Sequence, residues 1–99
     1  VNADSTLKSI DLATREVKTV AVFGPGLLDG LKSDGQGGYL VSQNEGRLYQ
    51  VAADGRVAKV LDTSTAGGPI ADFEYVPALR RLIVPQFYGN RVSAWDWRK

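Results

Sequence analysis

The sequence predicts an all-β chain, a β-propeller segment of about two blades of four-stranded antiparallel sheet, and three observations carry the prediction. Short apolar runs alternate with turns rich in Gly, Asp and Asn along the whole chain. No stretch has a helical period, and the nearest, "ALRRL" at 78–82, is too short to stand as a helix. The order of runs and turns also recurs every 40 to 44 residues or so, the span of one four-stranded propeller blade.

The recurrence is visible residue by residue. "GGYLVSQ" (37–43) aligns with "RRLIVPQ" (80–86), so Val41 meets Val84 and Gln43 meets Gln86, each 43 residues apart. The same offset pairs Asp29 with Asp72, each just ahead of an apolar run. "GRLYQVAAD" (46–54) aligns with "NRVSAWDW" (90–97), where Arg47 meets Arg91, and with "STLKSIDL" (5–12), where Leu7 meets Leu48. "VKTV" (17–20) matches "VAKV" (57–60) at an offset of 40.

Taken in order, residues 1–23 supply the outer half of one blade, with strands at 6–12 and 17–23. Residues 27–63 supply a complete blade, with strands at 29–34, 38–43, 47–53 and 56–62. Residues 69–99 supply the inner three strands of the next, at 71–76, 81–87 and 91–97. Asp34-Gly35, Asp54-Gly55 and Gly89-Asn90 offer the positive φ that tight hairpins need. Pro77 ends a strand at little cost, whereas Pro85, inside "LIVPQF", predicts a bulge or an end of ladder pairing. Ile10, Val51 and Trp95 fall on one face of their strands, and Leu7, Leu48 and Val92 on the other. Both faces are thus apolar, as in a sheet sandwiched between two others. The outermost strands intersperse Val17, Val20, Val57 and Val60 with Lys18 and Lys59, charges that deter edge pairing.

A nine-stranded sandwich or barrel folding alone is the competing architecture. Two blades cannot close a ring, and their flanking faces leave apolar surface uncovered. The sequence therefore predicts association with the remainder of a propeller or with copies of itself. Its opening, "VNADSTLKSI", has neither an initiator Met nor a leader, and the out-of-phase repeat predicts a cut inside a longer protein.

Composition narrows the function classes. A net charge of +1 with interspersed acids and bases gives no basic stripe for nucleic acid and no polybasic block for lipid. The apolar runs are too short to cross a membrane as helices. The chain has no Cys, hence no disulfide or thiolate chemistry, and its compartment cannot be read from cysteine usage. It has no His, which removes the usual neutral-pH base and the commonest zinc ligand.

Few residues remain as candidates for chemistry. Asp29 heads the first strand of the complete blade, and Asp72 stands in the same place one blade later as a built-in control for a purely architectural role. Glu74 alternates with Phe73 and Tyr75 in an inner strand and could join Asp72 as a second acidic position. "GPG" (24–26) and "AGGP" (66–69) lack the helix and Lys of a phosphate loop and read as linkers between blades. Trp95 and Trp97 share a strand face and read as packing between blades rather than as a sugar platform. Asp54 and Asp62 read as solvated turn residues.

The stretch "LLDGLKSDGQGGYLVSQNEGRLYQVAADGRV" resembles the six-bladed propellers of the senescence marker protein/gluconolactonase superfamily. It matches their recurring pattern at Asp29, Gly30, Asp34, Gly37, Gly46 and Arg47, with Leu28 where that family often has Pro. "STLKSIDLATREVKTV" is similar to the family's strand pair closing on Asp-Leu-x-Thr-Gly, with Arg15 in place of the Gly. The closing unit, "IADFEYVPALRRLIVPQFYGNRVSAWDW", looks like the last blade of gluconolactonase-like or NHL-like relatives. The resemblance implies a C-terminal portion of a metal-dependent hydrolase of sugar lactones or related esters. It also implies a divalent cation, commonly calcium, at the axial channel. Of that family's ligand set only the Asp of the Asp-Gly pair falls in this chain, at Asp29, which the resemblance makes both metal ligand and catalytic proton shuttle. Asn2 and Asn44 lie elsewhere in the blade and take no ligand role. The alternative is a non-enzymatic NHL-like propeller that binds a ligand or protein partner.

Overall fold

The computed structural model describes residues 4–65, 68–86 and 89–97. Among them are nine strands and no helix: β1 (Thr6–Ile10), β2 (Val17–Val22), β3 (Leu28–Ser33), β4 (Tyr39–Gln43), β5 (Arg47–Val51), β6 (Val57–Asp62), β7 (Glu74–Val76), β8 (Arg81–Gln86) and β9 (Arg91–Asp96). No helix of the described residues is long and apolar enough to cross a membrane. The strands make three antiparallel meanders: β1-β2, then β3-β4-β5-β6, then β7-β8-β9. The fold is all-β, and its sheets of two, four and three strands follow the segmentation read from the sequence. Asn2, Ala66 and Gly67 lie outside the described residues, as does position 87, where the predicted strand 81–87 ends.

The middle sheet organises the rest. Strands β4 and β5 turn Leu40 and Leu48 to one face and Val41 and Val51 to the other, and all four are fully buried. Ile70, Phe73, Leu82 and Val84 of the third sheet and its approach cover the first face. Leu7, Ala21 and Phe23 of the first sheet cover the second, with Phe23 and Tyr49 in ring contact at 5.2 Å. Each buried Val, Leu, Ile or Phe among them contributes about 1.5–3 kcal/mol by leaving water. The outer faces of the flanking sheets stay open: Ile10, Val17 and Val22 on one side and Val92 on the other are exposed.

The sequence repeat has a backbone cause. In β1-β2, Leu7 pairs with Ala21 and Lys8 with Thr19, which leaves Val20 as an extra residue. In β5-β6, Leu48 pairs with Leu61 and Tyr49 with Lys59, which leaves Val60 extra in the same way. Both hairpins thus carry the same bulge. The connection after β1 spans 11–16, one residue longer than 52–56 after β5, so the offset drops from 41 for Leu7 and Leu48 to 40 for the two Val-x-x-Val runs.

Turns form where the sequence placed them: Gly35 (φ +78°), Gly55 (φ +90°) and Asn90 (φ +46°) all take the left-handed region. "ALRRL" is a turn running into β8. Pro85 answers its prediction on one side only. Pairing with β9 continues through it, opposite Val92, whereas pairing with β7 stops at Ile83. In the turn after β1, Asp11 Oδ1 accepts hydrogen bonds from the backbone N–H groups of Ala13 (2.8 Å) and Thr14 (3.1 Å). That clamp forces Arg15 to φ +63°, a conformation L-residues other than Gly adopt at a cost of about 1–2 kcal/mol. Arg15→Gly is therefore expected to raise stability by about 0.5–1 kcal/mol, read as a higher urea midpoint with unchanged slope.

Several exposed carboxylates are held below the usual range by donors that the folded turns hold against them. The backbone N–H groups of Thr14 and Ala13 act on Asp11, that of Arg56 acts on Asp54, and the Ser64 hydroxyl and N–H act on Asp62. A depressed folded-state pKa means that the unfolded chain takes up the proton first. The stabilisation is then complete above the ordinary carboxylate pKa of about 4 and is lost as pH falls through the depressed values. Urea midpoints are expected to be flat from neutrality to about pH 5 and to fall below pH 4, less steeply in Asp62→Asn.

Candidate functional site

The inner strands of the second and third sheets, β3 and β7, run beside one another. The entry to β3 is a β-bulge: Leu28 pairs with Gln43 and Leu31 with Val41, so Asp29 and Gly30 face Ser42 alone. With no ladder partner there, the Gly30 N–H donates to Ser42 Oγ at 2.8 Å. The Ser42 hydroxyl in turn donates to the carbonyl of Ala71, on the approach to β7. One buried hydroxyl thereby ties the bulge of one sheet to the start of the next. The approach to β7 bulges too, because Ile70 faces Gln86 and Glu74 faces Ile83, leaving three residues opposite two.

Gly30 is required by space. A Cβ there would lie 2.5 Å from Asp72 Oδ1 and 3.0 Å from both Phe73 Cδ1 and Ser42 Oγ. Asp29 and Asp72 occupy like surroundings, each exposed and each followed by a buried residue, Gly30 or Phe73. Their bonding differs. The Asp72 carboxylate accepts the N–H of Phe73 (2.9 Å) and faces Lys32 Nζ at 3.9 Å, and Glu74 faces the same ammonium at 4.0 Å. Asp29 has no hydrogen bond or ion pair among the described residues.

The other residues of the motif around Asp29 have duties in the fold. Asp34, 4% exposed, accepts the backbone N–H groups of Gln36 (2.7 Å) and Gly38 (2.9 Å) and the Gln50 amide (3.1 Å). Gly37 and Gly46 take φ of +89° and +123°, and a Cβ on Gly46 would press on the backbone of Ser64 and Gly68 at 2.8 Å. Arg47 donates to Gln43 Oε1 (2.9 Å) and pairs with Glu45 (3.1 Å) and Asp62 (3.6 Å). Gln43 completes the circuit by donating to the carbonyl of Pro25 (2.9 Å), which pins the linker ahead of β3. Asp29 alone is left without such a duty.

Other candidates resolve as follows. Glu74 does share the inner edge with Asp72, joined to it through Lys32. Trp97 packs edge-on against Tyr75, centroids 5.2 Å apart, on the core between the second and third sheets. Trp95 remains 41% exposed. Gly24–Gly26 form the linker between β2 and β3. Asp54 is exposed in a turn, as read, whereas Asp62 is the exposed last residue of β6, opposite Arg47; they accept hydrogen bonds from Arg56 and Ser64. Asn44 works through its backbone, donating to Leu27 and accepting from Ile70. Sequence reasoning passed over Ser42 and Lys32; the signal for Ser42 was a hydroxyl amid apolar residues on a strand buried on both faces, which must find partners.

Among the described residues, no group of three or more acidic side chains stands close enough to hold a metal ion. The donor chemistry of the edge is nonetheless uneven. Lys32 opposes a cation beside Asp72 and Glu74, whereas Asp29 offers unengaged oxygens of the kind a hard cation prefers. Comparison with protein-family models, curated proteins and solved structures finds no match.

Gly30→Ala is expected to destabilise the chain by about 1–3 kcal/mol, since its Cβ must displace Asp72, Phe73 and Ser42 together. Denaturant unfolding measures the loss, and the chemical shifts of 71–73 should move with it.

Proposed function

We propose that the chain is a segment of a propeller of the senescence marker protein/gluconolactonase type and that Asp29 is its contribution to a divalent-cation site for ester or lactone hydrolysis. One observation carries the reading. Within a motif whose other matched residues each serve the fold, Asp29 has an exposed, unengaged carboxylate on a backbone bulge held by Ser42. Bulges of this kind re-aim side chains next to active sites. The open outer faces of the first and third sheets support the ring: the middle sheet is covered on both faces, and its neighbours carry apolar residues outward that call for the same cover.

In this role Asp29 supplies one hard oxygen ligand, and polypeptide outside the described residues supplies the others. A divalent cation held there would supply polarisation of a substrate carbonyl and a more acidic bound water. The second oxygen of Asp29 would remain able to accept a proton, work for which a carboxylate suffices in a chain without His. Lys32 makes the contrast with the next blade, because its ammonium stands beside Asp72 and Glu74 and opposes a second cation there. A non-enzymatic, NHL-like binding propeller is the second reading, and the exposed apolar outer faces are what favours it.

In the full protein that contains this chain, hydrolysis of a sugar δ-lactone is expected to require calcium and to cease on chelation. Asp29→Asn is expected to weaken calcium binding and to lower kcat by about 10²–10⁴-fold, while Asp72→Asn leaves both near their original values. Equal effects of the two substitutions would remove the asymmetry, and inactivity with and without calcium would leave the binding reading in its place.

A further inference from the structure

We propose that a cleft between the second and third sheets, lined by Asp34, Gln36, Tyr75, Arg80 and Trp97, binds a small monocarboxylate. Arg80 grips its oxygens, and the two aromatic rings take its flat or apolar body. The cleft lies past the end of β3 opposite to Asp29, about 15 Å away by strand rise. It does not rest on the cation site, so either can fail without the other.

The repeat shows what the fold itself requires at this corner. Arg80 corresponds to Gly37, and Trp97 corresponds to Ala53. Gly37 takes φ +89°, and a Cβ on it would meet only Ala53, at 3.8 Å. The second sheet thus closes its corner with two small residues. The third sheet holds the same left-handed conformation, φ +52°, with an arginine, which takes it under strain. Two hydrogen bonds fix the Arg80 backbone there: its N–H donates to the carbonyl of Pro77 (3.2 Å), and its carbonyl accepts the N–H of Trp97 (2.8 Å). The guanidinium, by contrast, has no hydrogen bond or ion pair among the described residues. Strain kept for a side chain that serves no contact in the fold is the mark of a ligand site.

The lining selects the ligand. Tyr75 and Trp97 are half-buried and meet edge-on at 5.2 Å. The Tyr75 hydroxyl, the Trp97 indole N–H and the Gln36 side-chain amide have no hydrogen-bond partner among the described residues. The cleft is therefore rich in donors. A guanidinium fork matches the two oxygens of a carboxylate, and the ring faces suit a planar group behind it. Asp34 sets the charge. Its carboxylate, 4% exposed, is held in the wall by the N–H groups of Gln36 and Gly38 and by the Gln50 amide. A second negative charge on the ligand would face it, so a monoanion fits better than a phosphate or a dicarboxylate. The volume, about 90 Å³, is well below the roughly 300 Å³ at which drug-sized pockets begin, which suits a free acid of one ring or less.

The test titrates benzoate into the intact protein and follows indole and guanidinium N–H signals by NMR, with Trp97→Phe and Trp95→Phe assigning the two indoles. The expected result is a saturable shift of the Trp97 indole and Arg80 Nε–H signals, while the Trp95 indole signal stays in place. Arg80→Gly, which suits φ +52°, should weaken binding about tenfold or more and leave the urea midpoint equal or higher. Arg80→Lys keeps the charge without the fork and should fall between the two. Arg15→Gly removes another arginine at positive φ, in the turn after β1, and should leave binding unchanged. Unmoved Trp97 and Arg80 signals at tens of millimolar benzoate would overturn the proposal. So would inorganic phosphate competing as strongly as benzoate, or an equal loss in Arg15→Gly, since either would reduce the site to general attraction of anions. A lowered urea midpoint in Arg80→Gly would overturn it too, because the side chain would then have a duty in the fold.

Discussion

A sheet apolar on both faces cannot stand in water alone, and the rest of this structure follows from that constraint. Leu40 and Leu48 on one face and Val41 and Val51 on the other each need cover, and each face receives another sheet. Stacking of this kind removes apolar area on two sides at once. The middle sheet is accordingly the one whose central strands bury side chains fully on both faces. The same logic passes outward, because the flanking sheets cover one side and expose another. Ile10, Val22 and Val92 mark where the stack would continue.

Sheets that meet only through aliphatic side chains could slide, and a few polar contacts set the registration. Ser42 joins the bulge at Gly30 to the carbonyl of Ala71, and Gln43 reaches the carbonyl of Pro25. On the far side the Ser5 hydroxyl donates to the carbonyl of Gly26. All three hold the short linkers that carry the chain from the outer strand of one sheet to the inner strand of the next. In a buried setting each such bond matters less for its net strength than for the cost of leaving its partners unpaired.

That placement gives the acidic residues of the edge different characters without changing their type. Asp72 and Glu74 share one ammonium, while Asp29 sits on a bulge with its oxygens turned to solvent. Identical chemistry at equivalent repeat positions thus differs in its surroundings: Asp72 shares the one ammonium of Lys32 with Glu74, and Asp29 has no ion pair among the described residues. A cation would meet a carboxylate free of ion pairing at Asp29, whereas beside Asp72 and Glu74 it would also meet the ammonium of Lys32.

The nine strands, their grouping into two, four and three, and the glycine and asparagine turns were all legible in the sequence. Local pattern governs them: alternation sets which face a side chain takes, and positive φ selects Gly or Asn. The repeat of Val41 with Val84 and of Gln43 with Gln86 was legible for the same reason, as buried positions recur when the unit recurs. Asp29 could be named as a candidate, but its distinction from Asp72 could not, because that depends on where Lys32 points across the gap between two sheets. Ser42 likewise looked like an ordinary strand residue until its hydroxyl was seen to span two sheets. Pro85 could be flagged but not resolved, since only the pairing on each side shows which ladder it breaks. Sequence by itself determined the local periodicity, the strands and the turns. Tertiary structure alone decided which side chains meet between sheets, because those contacts join residues far apart in the chain and depend on stacking that no local pattern encodes.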